Sequence, residues 1–76
     1  MTKEKFLEDL SDLLETDVEL TLTTNLKEVE EYDSLAIMGL VAYADKNFGK
    51  KIPGEKFSEV TDVQSLIDIL GAENFE

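Results

Sequence analysis

Three segments of this sequence repeat apolar residues at intervals of three and four, the spacing that places them on one face of an α-helix. In the first segment these residues are Phe6, Leu7, Leu10, Leu13 and Leu14, with acidic residues on the other face. The second segment, from 35 to 48, is apolar nearly all round, which predicts a central helix. The third carries Val63, Leu66, Ile67 and Leu70. An all-α fold is predicted.

Capping residues mark where these helices begin. Thr2 is a suitable N-cap for the first helix. Asp33 or Ser34 directly before the apolar run is a start signal for the second. Thr61 and Gln64 have the spacing of a capping box for the last helix.

The remaining signals concern helix ends and the segments between helices. Gly49 and Gly71 are helix stops. Residues 55–60 are expected to form one short helical turn. Residues 16–32 are polar and threonine-rich, and we expect an ordered long loop there; a short strand is also permitted by the alternation of Val18, Leu20 and Leu22. Together these signals predict a small irregular four-helix bundle, with three main helices plus one short helix and a long first loop.

Length and charge restrict the function. The 76 residues are enough for one domain, which we take to be 1–76. A net charge of −11 disfavours binding to nucleic acid or to anionic membrane surfaces, and favours partners with basic surfaces. No apolar run has the length of a membrane span and the N-terminus lacks a signal-peptide pattern, so we expect no stable membrane insertion, a cytoplasmic location and a monomer.

The missing residue types argue against an enzyme. The chain has no cysteine and no histidine, so it lacks the commonest nucleophile and the commonest general base, as well as thiolate metal ligands. We therefore expect no catalytic residue and no metal site.

The residue that stands out is Ser34. A serine at a helix N-terminus lies beside unpaired backbone N–H groups and partial positive charge, both of which favour a phosphate ester. Asp33 can cap the helix or help to position a metal-bound phosphate. Leu35 is expected to anchor the turn into the core and to leave the hydroxyl of Ser34 facing solvent. The simplest alternative is that Ser34 only caps the helix.

The stretch LKEVEEYDSLAIMGLVAYADKNFGKKIP resembles acyl carrier proteins, the small acidic four-helix carriers of fatty-acid and polyketide synthesis. The similarity rests on Asp33-Ser34-Leu35, the apolar helix after them, Phe48-Gly49 and Ile52-Pro53, and it extends to the last helix at residues 60–70. Tyr32 before the motif and Gly39, where an acidic residue is common in the family, favour a specialised member.

The resemblance implies a concrete function. Ser34 would receive a 4′-phosphopantetheine group from coenzyme A, flanked by Asp33 and Leu35 as the rest of the motif. A magnesium-dependent phosphopantetheinyl transferase would attach it. The thiol of the arm would carry acyl or aminoacyl groups as thioesters to acyl-transferring or acyl-modifying enzymes with basic docking surfaces.

Two other functions stay open. One is an acidic interaction module that is never modified. The other is a calcium-binding loop, because oxygen-bearing residues follow an EF-hand-like register, although Leu22 stands where that loop requires glycine. The ligands would be Asp17, Glu19, Thr21, Thr23, Asn25 and Glu28.

We also expect a set of apolar residues to line the core, and some of them to line an acyl cavity: Met38, Val41, Ala42, Phe48, Phe57, Ile67 and Leu70.

Overall fold

Four α-helices and no β-strand form the fold of this protein, seen in a computed structural model that describes all of residues 1–76. α1 spans Lys3–Leu14, α2 spans Ser34–Phe48, α3 spans Gly54–Ser58 and α4 spans Val63–Leu70. Short 3-10 turns cover Leu26–Glu28 and Ala72–Asn74. The predicted bundle of three main helices and one short helix, with a long first loop, is confirmed. None of the helices combines the length and apolar character that a membrane crossing requires.

The helix starts follow the expected chemistry, with one shift in register. The hydroxyl of Thr2 accepts a hydrogen bond of 3.1 Å from the backbone N–H of Lys5, so the predicted cap of α1 is confirmed. The capping box of α4 is formed by Asp62 and Ser65, one residue later than the predicted pair. The N–H of Gln64, which the predicted box would use, instead donates to the carbonyl of Leu22 in the first loop at 3.0 Å.

The helix ends are also as expected. Gly49 closes α2 at a φ of 65°, and Gly71 closes α4 at a φ of 101°. Both values lie in the region that residues with a Cβ adopt at a cost. The short helix α3 covers Gly54–Ser58, close to the predicted turn at residues 55–60.

The long loop after α1 is ordered, as predicted, because it is anchored on the start of α4. The N–H of Leu26 donates to the carbonyl of Thr61 at 2.7 Å, and the N–H of Gln64 donates to the carbonyl of Leu22 at 3.0 Å. The alternative of a strand in this loop is wrong, since the segment holds only one isolated bridge. The loop contributes three buried side chains to the core: Leu20, Leu26 and Val29.

The core draws on every helix, but one part of the predicted set lies outside it. Phe57, Ile67 and Leu70 are fully buried, as expected, and Val41 and Phe48 are half-buried. Met38 and Ala42 are exposed, so their predicted core positions are wrong. The reason is that α2 is covered on one side only, and its buried residues are Ala36, Leu40 and Ala44.

The interior offers no acyl cavity. The space between the apolar faces of α1 and α2 is filled by side chains that leave no room for a water molecule. The larger spaces in the structure are open grooves on the surface. The expectation of an internal cavity is therefore not met by this structure.

Candidate functional site

Ser34 is the first residue of α2, and its side chain is exposed. The cap is supplied by Asp33, whose carboxylate accepts a hydrogen bond of 3.1 Å from the N–H of Ala36. The alternative in which Ser34 is the N-cap is wrong, because Asp33 occupies that position. The hydroxyl of Ser34 makes no hydrogen bond with the rest of the chain and is free to react.

The backbone around Ser34 favours an anion. The N–H groups of Ser34 and Leu35 have no partner in the chain, since Asp33 uses only the N–H groups of Ala36 and Ile37. No acidic residue lies within the first turn of α2, and Lys46 lies in its last turn. Within α2 and its cap, Asp33 is therefore the acidic residue that faces the partial positive charge at the helix start.

Tyr32 fixes the segment that leads into the site. Its hydroxyl donates a hydrogen bond of 2.6 Å to the backbone carbonyl of Phe57, the fully buried residue of α3. Burial raises the pKa of Tyr32 to about 12. This bond joins the residue two positions before Ser34 to a different helix. From the sequence, Tyr32 is only a departure from the family motif. Its aromatic side chain next to Asp33 is the one feature that could have indicated a structural role.

Leu35 does not anchor the turn into the core, so that prediction is wrong. Its side chain is 76% exposed, and the adjacent Ala36 is the buried residue. Successive residues of a helix are rotated by roughly 100°, which places Leu35 beyond the covered face. Met38, one turn after Ser34, is 68% exposed. Two large apolar side chains thus lie in solvent beside the free hydroxyl.

An open groove of about 510 Å³ runs along the outer face of α2, and we call it the outer groove. Its apolar lining consists of Met38, Val41, Ala42, Ile52 and Pro53. The ion pair of Asp45 and Lys51, with a distance of 3.6 Å between its charged atoms, lies at its edge.

A second groove of about 410 Å³ lies between α1 and α2, and we call it the acidic groove. Three carboxylates and several apolar side chains share its lining, which includes Leu13, Leu35, Gly39, Glu15, Glu31 and Asp33. Asp33 and Leu35 are the chain neighbours of Ser34. The acidic groove is therefore lined by both chain neighbours of the serine, whereas the outer groove begins one helical turn further along α2, at Met38.

Charge is distributed unevenly around the site. Residues 1–32 contain ten acidic residues and three lysines, and α2 contains only Asp45 and Lys46. Lysines concentrate after the site, with four of the seven between residues 46 and 56. The negative field that would attract a basic partner therefore lies on α1 and the first loop.

The calcium alternative gains no support from the loop. The hydroxyl group of Thr21 forms hydrogen bonds with those of Thr23 and Thr24, and the side chain of Asn25 accepts a hydrogen bond from the N–H of Lys27 and caps the 3-10 turn. No group of three or more acidic side chains is close enough to hold a metal ion. The three carboxylates of the EF-hand-like register, those of Asp17, Glu19 and Glu28, are therefore not brought together.

Comparison with known proteins gives one match. The family model described as "Phosphopantetheine attachment site" matches residues 4–70 of the 76-residue chain. No curated protein and no solved structure matches it. The matched range includes α2, α3 and α4, all of α1 except its first residue, and Ser34 at the start of α2.

Proposed function

Because this chain belongs to the phosphopantetheine attachment family and is a phosphopantetheine carrier protein, we propose that Ser34 is the residue that bears the 4′-phosphopantetheine arm. The observation that carries the proposal is the free hydroxyl of Ser34 at the start of α2, with the capping role taken by Asp33. When bound, the group supplies a thiol at the end of a long arm, to which an acyl group can be attached.

The residues around Ser34 suit a phosphodiester. The unpaired N–H groups of Ser34 and Leu35 and the dipole of α2 would stabilise the negative charge on the phosphate oxygens of a phosphodiester at Ser34. Asp33 keeps the first turn of α2 formed by capping it, so the hydroxyl is presented at a fixed place. Tyr32 holds the preceding backbone against α3.

This protein positions the hydroxyl of Ser34, and a separate transferase catalyses the attachment of the arm. The protein has no histidine or cysteine, and the hydroxyl of Ser34 has no hydrogen-bonded base. A phosphopantetheinyl transferase must therefore remove the proton as Ser34 Oγ bonds to the phosphorus of coenzyme A that bears the pantetheine. The adenosine bisphosphate leaves with the electrons of the broken P–O bond. We expect the same division of labour for cargo, with acyl or aminoacyl groups transferred by partner enzymes in the cytoplasm.

Intact-mass measurement tests the attachment site directly. The protein is incubated with coenzyme A, Mg²⁺ and a broad-specificity phosphopantetheinyl transferase. We expect the wild-type chain to gain the mass of one phosphopantetheine group, and Ser34→Ala to gain none. Ser58→Ala is the matched control, because Ser58 is also exposed but lies at the end of α3, and it should load like the wild type.

Two results would overturn the proposal. If the wild-type chain gains no mass under conditions that load a known carrier, the unmodified interaction module becomes the better explanation. If Ser34→Ala gains the same mass as the wild type, another hydroxyl bears the arm.

A further inference from the structure

The turn that presents Ser34 has few contacts of its own with the rest of the molecule. Residues 33–35 are all exposed. Asp33 forms its hydrogen bond within the same turn, with the N–H of Ala36, so the cap fixes the turn only relative to α2. The residues that flank this turn, Tyr32 and Ala36, are the nearest ones with buried surface. They must therefore determine how the serine is oriented relative to the other helices.

Tyr32 provides the link from this turn to another helix. Among the hydrogen bonds of residues 30–36, the bond of 2.6 Å from the hydroxyl of Tyr32 to the carbonyl of Phe57 is the one that reaches a different helix. The acceptor belongs to a well-fixed residue, because the side chain of Phe57 is fully buried. The hydroxyl group of Tyr32 therefore connects the entry to α2 with a fixed point of α3.

The short helix α3 also contacts the chain on the other side of Ser34. Gly54, the first residue of α3, lies close against Ile37 of α2, since a Cβ placed on this glycine would be 3.2 Å from Cγ2 of the isoleucine. Tyr32 precedes the serine by two residues and Ile37 follows it by three. Thus α3 touches the chain both before and after the serine, and it can hold the turn between these two contacts.

Transfer of a phosphoryl group to Ser34 requires an aligned hydroxyl. Its oxygen must approach the phosphorus of coenzyme A in the active site of the transferase, and a misplacement of about 1 Å can slow such a reaction by roughly 100-fold. Tyr32 cannot act on the proton or the phosphate, because its hydroxyl is bonded to α3. It can act only through the position of the backbone that leads to the serine.

We propose that Tyr32 is a positioning residue for the loading of Ser34: its bond to Phe57 uses α3 as the support that holds the serine-bearing turn in the orientation required by the transferase. This inference rests on the proposed attachment at Ser34. It assigns α3 a part in loading, although α3 itself carries none of the motif residues.

Single-turnover loading tests the role of Tyr32. The protein is mixed with an excess of transferase, coenzyme A and Mg²⁺, and the mass gain is followed by rapid quenching at several transferase concentrations. We expect Tyr32→Phe to lower the limiting rate by roughly three- to fivefold, the factor that corresponds to one lost hydrogen bond. The half-saturating transferase concentration should change by less than about twofold, because the charged surfaces are unaltered. Loading should still go to completion.

Tyr43→Phe is the matched control. The hydroxyl of Tyr43 donates a hydrogen bond of 2.9 Å to Asp9 and so joins α2 to α1. Tyr43 lies nine residues after Ser34, roughly 14 Å along the helix axis. This variant also loses one partly buried hydrogen bond between helices, so it reports the effect of reduced stability alone. We expect its limiting rate to equal that of the wild type.

Three kinetic results would overturn the proposal. An unchanged limiting rate in Tyr32→Phe would show that the bond does not position the serine. Equal slowing in Tyr43→Phe would assign the effect to general loosening of the bundle. A change confined to the half-saturating concentration would place Tyr32 in partner docking.

Backbone relaxation measured by nuclear magnetic resonance tests the same point without a transferase. In the wild type we expect the amides of Ser34 and Leu35 to be as ordered as the middle of α2, with order parameters of about 0.85. Lower values are expected in Tyr32→Phe and unchanged values in Tyr43→Phe. Wild-type values below about 0.6 would show that the turn is not held, and would overturn the proposal even if Tyr32→Phe did not fold.

These measurements separate this inference from the attachment proposal. A wild-type protein that gains no mass contradicts the attachment at Ser34. A protein that gains the mass on Ser34 at the same rate with and without the hydroxyl of Tyr32 contradicts only the positioning role.

Discussion

At the residue scale, the exposure of Ser34 depends on its two predecessors. Asp33 is the N-cap of α2, so the hydroxyl of Ser34 is not needed to cap the helix. Tyr32 bonds to α3 and fixes where the chain enters the helix. Two contacts therefore fix the position of Ser34: the carboxylate of Asp33 caps its own helix, and the hydroxyl of Tyr32 binds a residue of another helix.

Tyr32→Phe tests the long-range bond. The change removes the 2.6 Å bond and leaves the carbonyl of Phe57 with only the longer bond of 3.4 Å from the N–H of Val60. We therefore expect the free energy of unfolding at pH 7 to fall by about 1 kcal/mol. Denaturation in urea measures it. Loading of Ser34 should persist, since the hydroxyl of Tyr32 does not touch the serine. An unchanged stability would show that the 2.6 Å bond contributes nothing in water.

Tyr32→Phe should also change how the free energy of unfolding depends on pH in alkaline solution. The pKa of Tyr32 is raised in the folded protein to about 12. A raised pKa contributes stability that is complete below the unfolded value of about 10 and is lost as the pH rises through the folded one. We therefore expect wild-type stability to fall between these values more steeply than that of Tyr32→Phe. Parallel curves would contradict this assignment.

At the scale of the elements, α2 differs from the other helices in how it is covered. Its sequence is apolar nearly all round, yet only Ala36, Leu40 and Ala44 are buried. Gly39 lies in its interior, where glycine weakens a helix. A Cβ placed there would be 3.4 Å from Cδ2 of Leu13, an ordinary contact distance. Close packing does not require the glycine.

Gly39→Ala is expected to stabilise the protein. The added methyl group has room and removes backbone freedom from the unfolded chain, so the free energy of unfolding should rise by about 0.5–1 kcal/mol. Thermal or urea denaturation measures the change. The control is Gly49→Ala, where φ is 65° and alanine is strained; this variant should lose about 1 kcal/mol. A destabilised Gly39→Ala would mean that α1 cannot accept the methyl group.

At the scale of the whole molecule, the chain ends close the bundle. Phe75 packs against Phe6 and Phe48, with ring centroids 5.3 and 5.4 Å away. The N–H of Glu76 donates to the carbonyl of Met1, and the amino group of Met1 donates to the carbonyl of Asn74. The last residues therefore belong to the packed structure, although they follow the final helix.

Phe75→Ala tests this closure. Loss of the half-buried ring should lower the free energy of unfolding by about 2 kcal/mol, since apolar area returns to water and two aromatic contacts disappear. Leu35→Ala is the control, because this 76%-exposed side chain should change stability by less than about 0.5 kcal/mol. Equal effects of the two truncations would show that the C-terminal segment does not support the core.

Salt should weaken binding to partner enzymes. The net charge of −11 is concentrated on α1 and the first loop, and a basic partner surface would be attracted over several ångströms. We expect the association rate with a transferase to fall as ionic strength rises, measured by stopped-flow mixing. Glu8→Gln should reduce this dependence more than Glu55→Gln, because Glu8 lies on α1 and Glu55 lies among lysines. A rate that does not change with salt would contradict electrostatic steering.

Local interactions made much of this protein predictable. Helix periods, the Thr2 cap, the glycine stops and the position of Ser34 at a helix start depend on residues within four positions of one another. The sequence contains that information directly.

Contacts between distant residues decided the rest. The exposure of Leu35 and Met38 and the bond from Tyr32 to Phe57 depend on where other helices lie. The one-residue shift of the α4 cap accompanies the contact of Gln64 with the first loop. An apolar helix looks the same in sequence whether one face is covered or all of them. Only the packing of α1, α3 and α4 determines which face of α2 meets water.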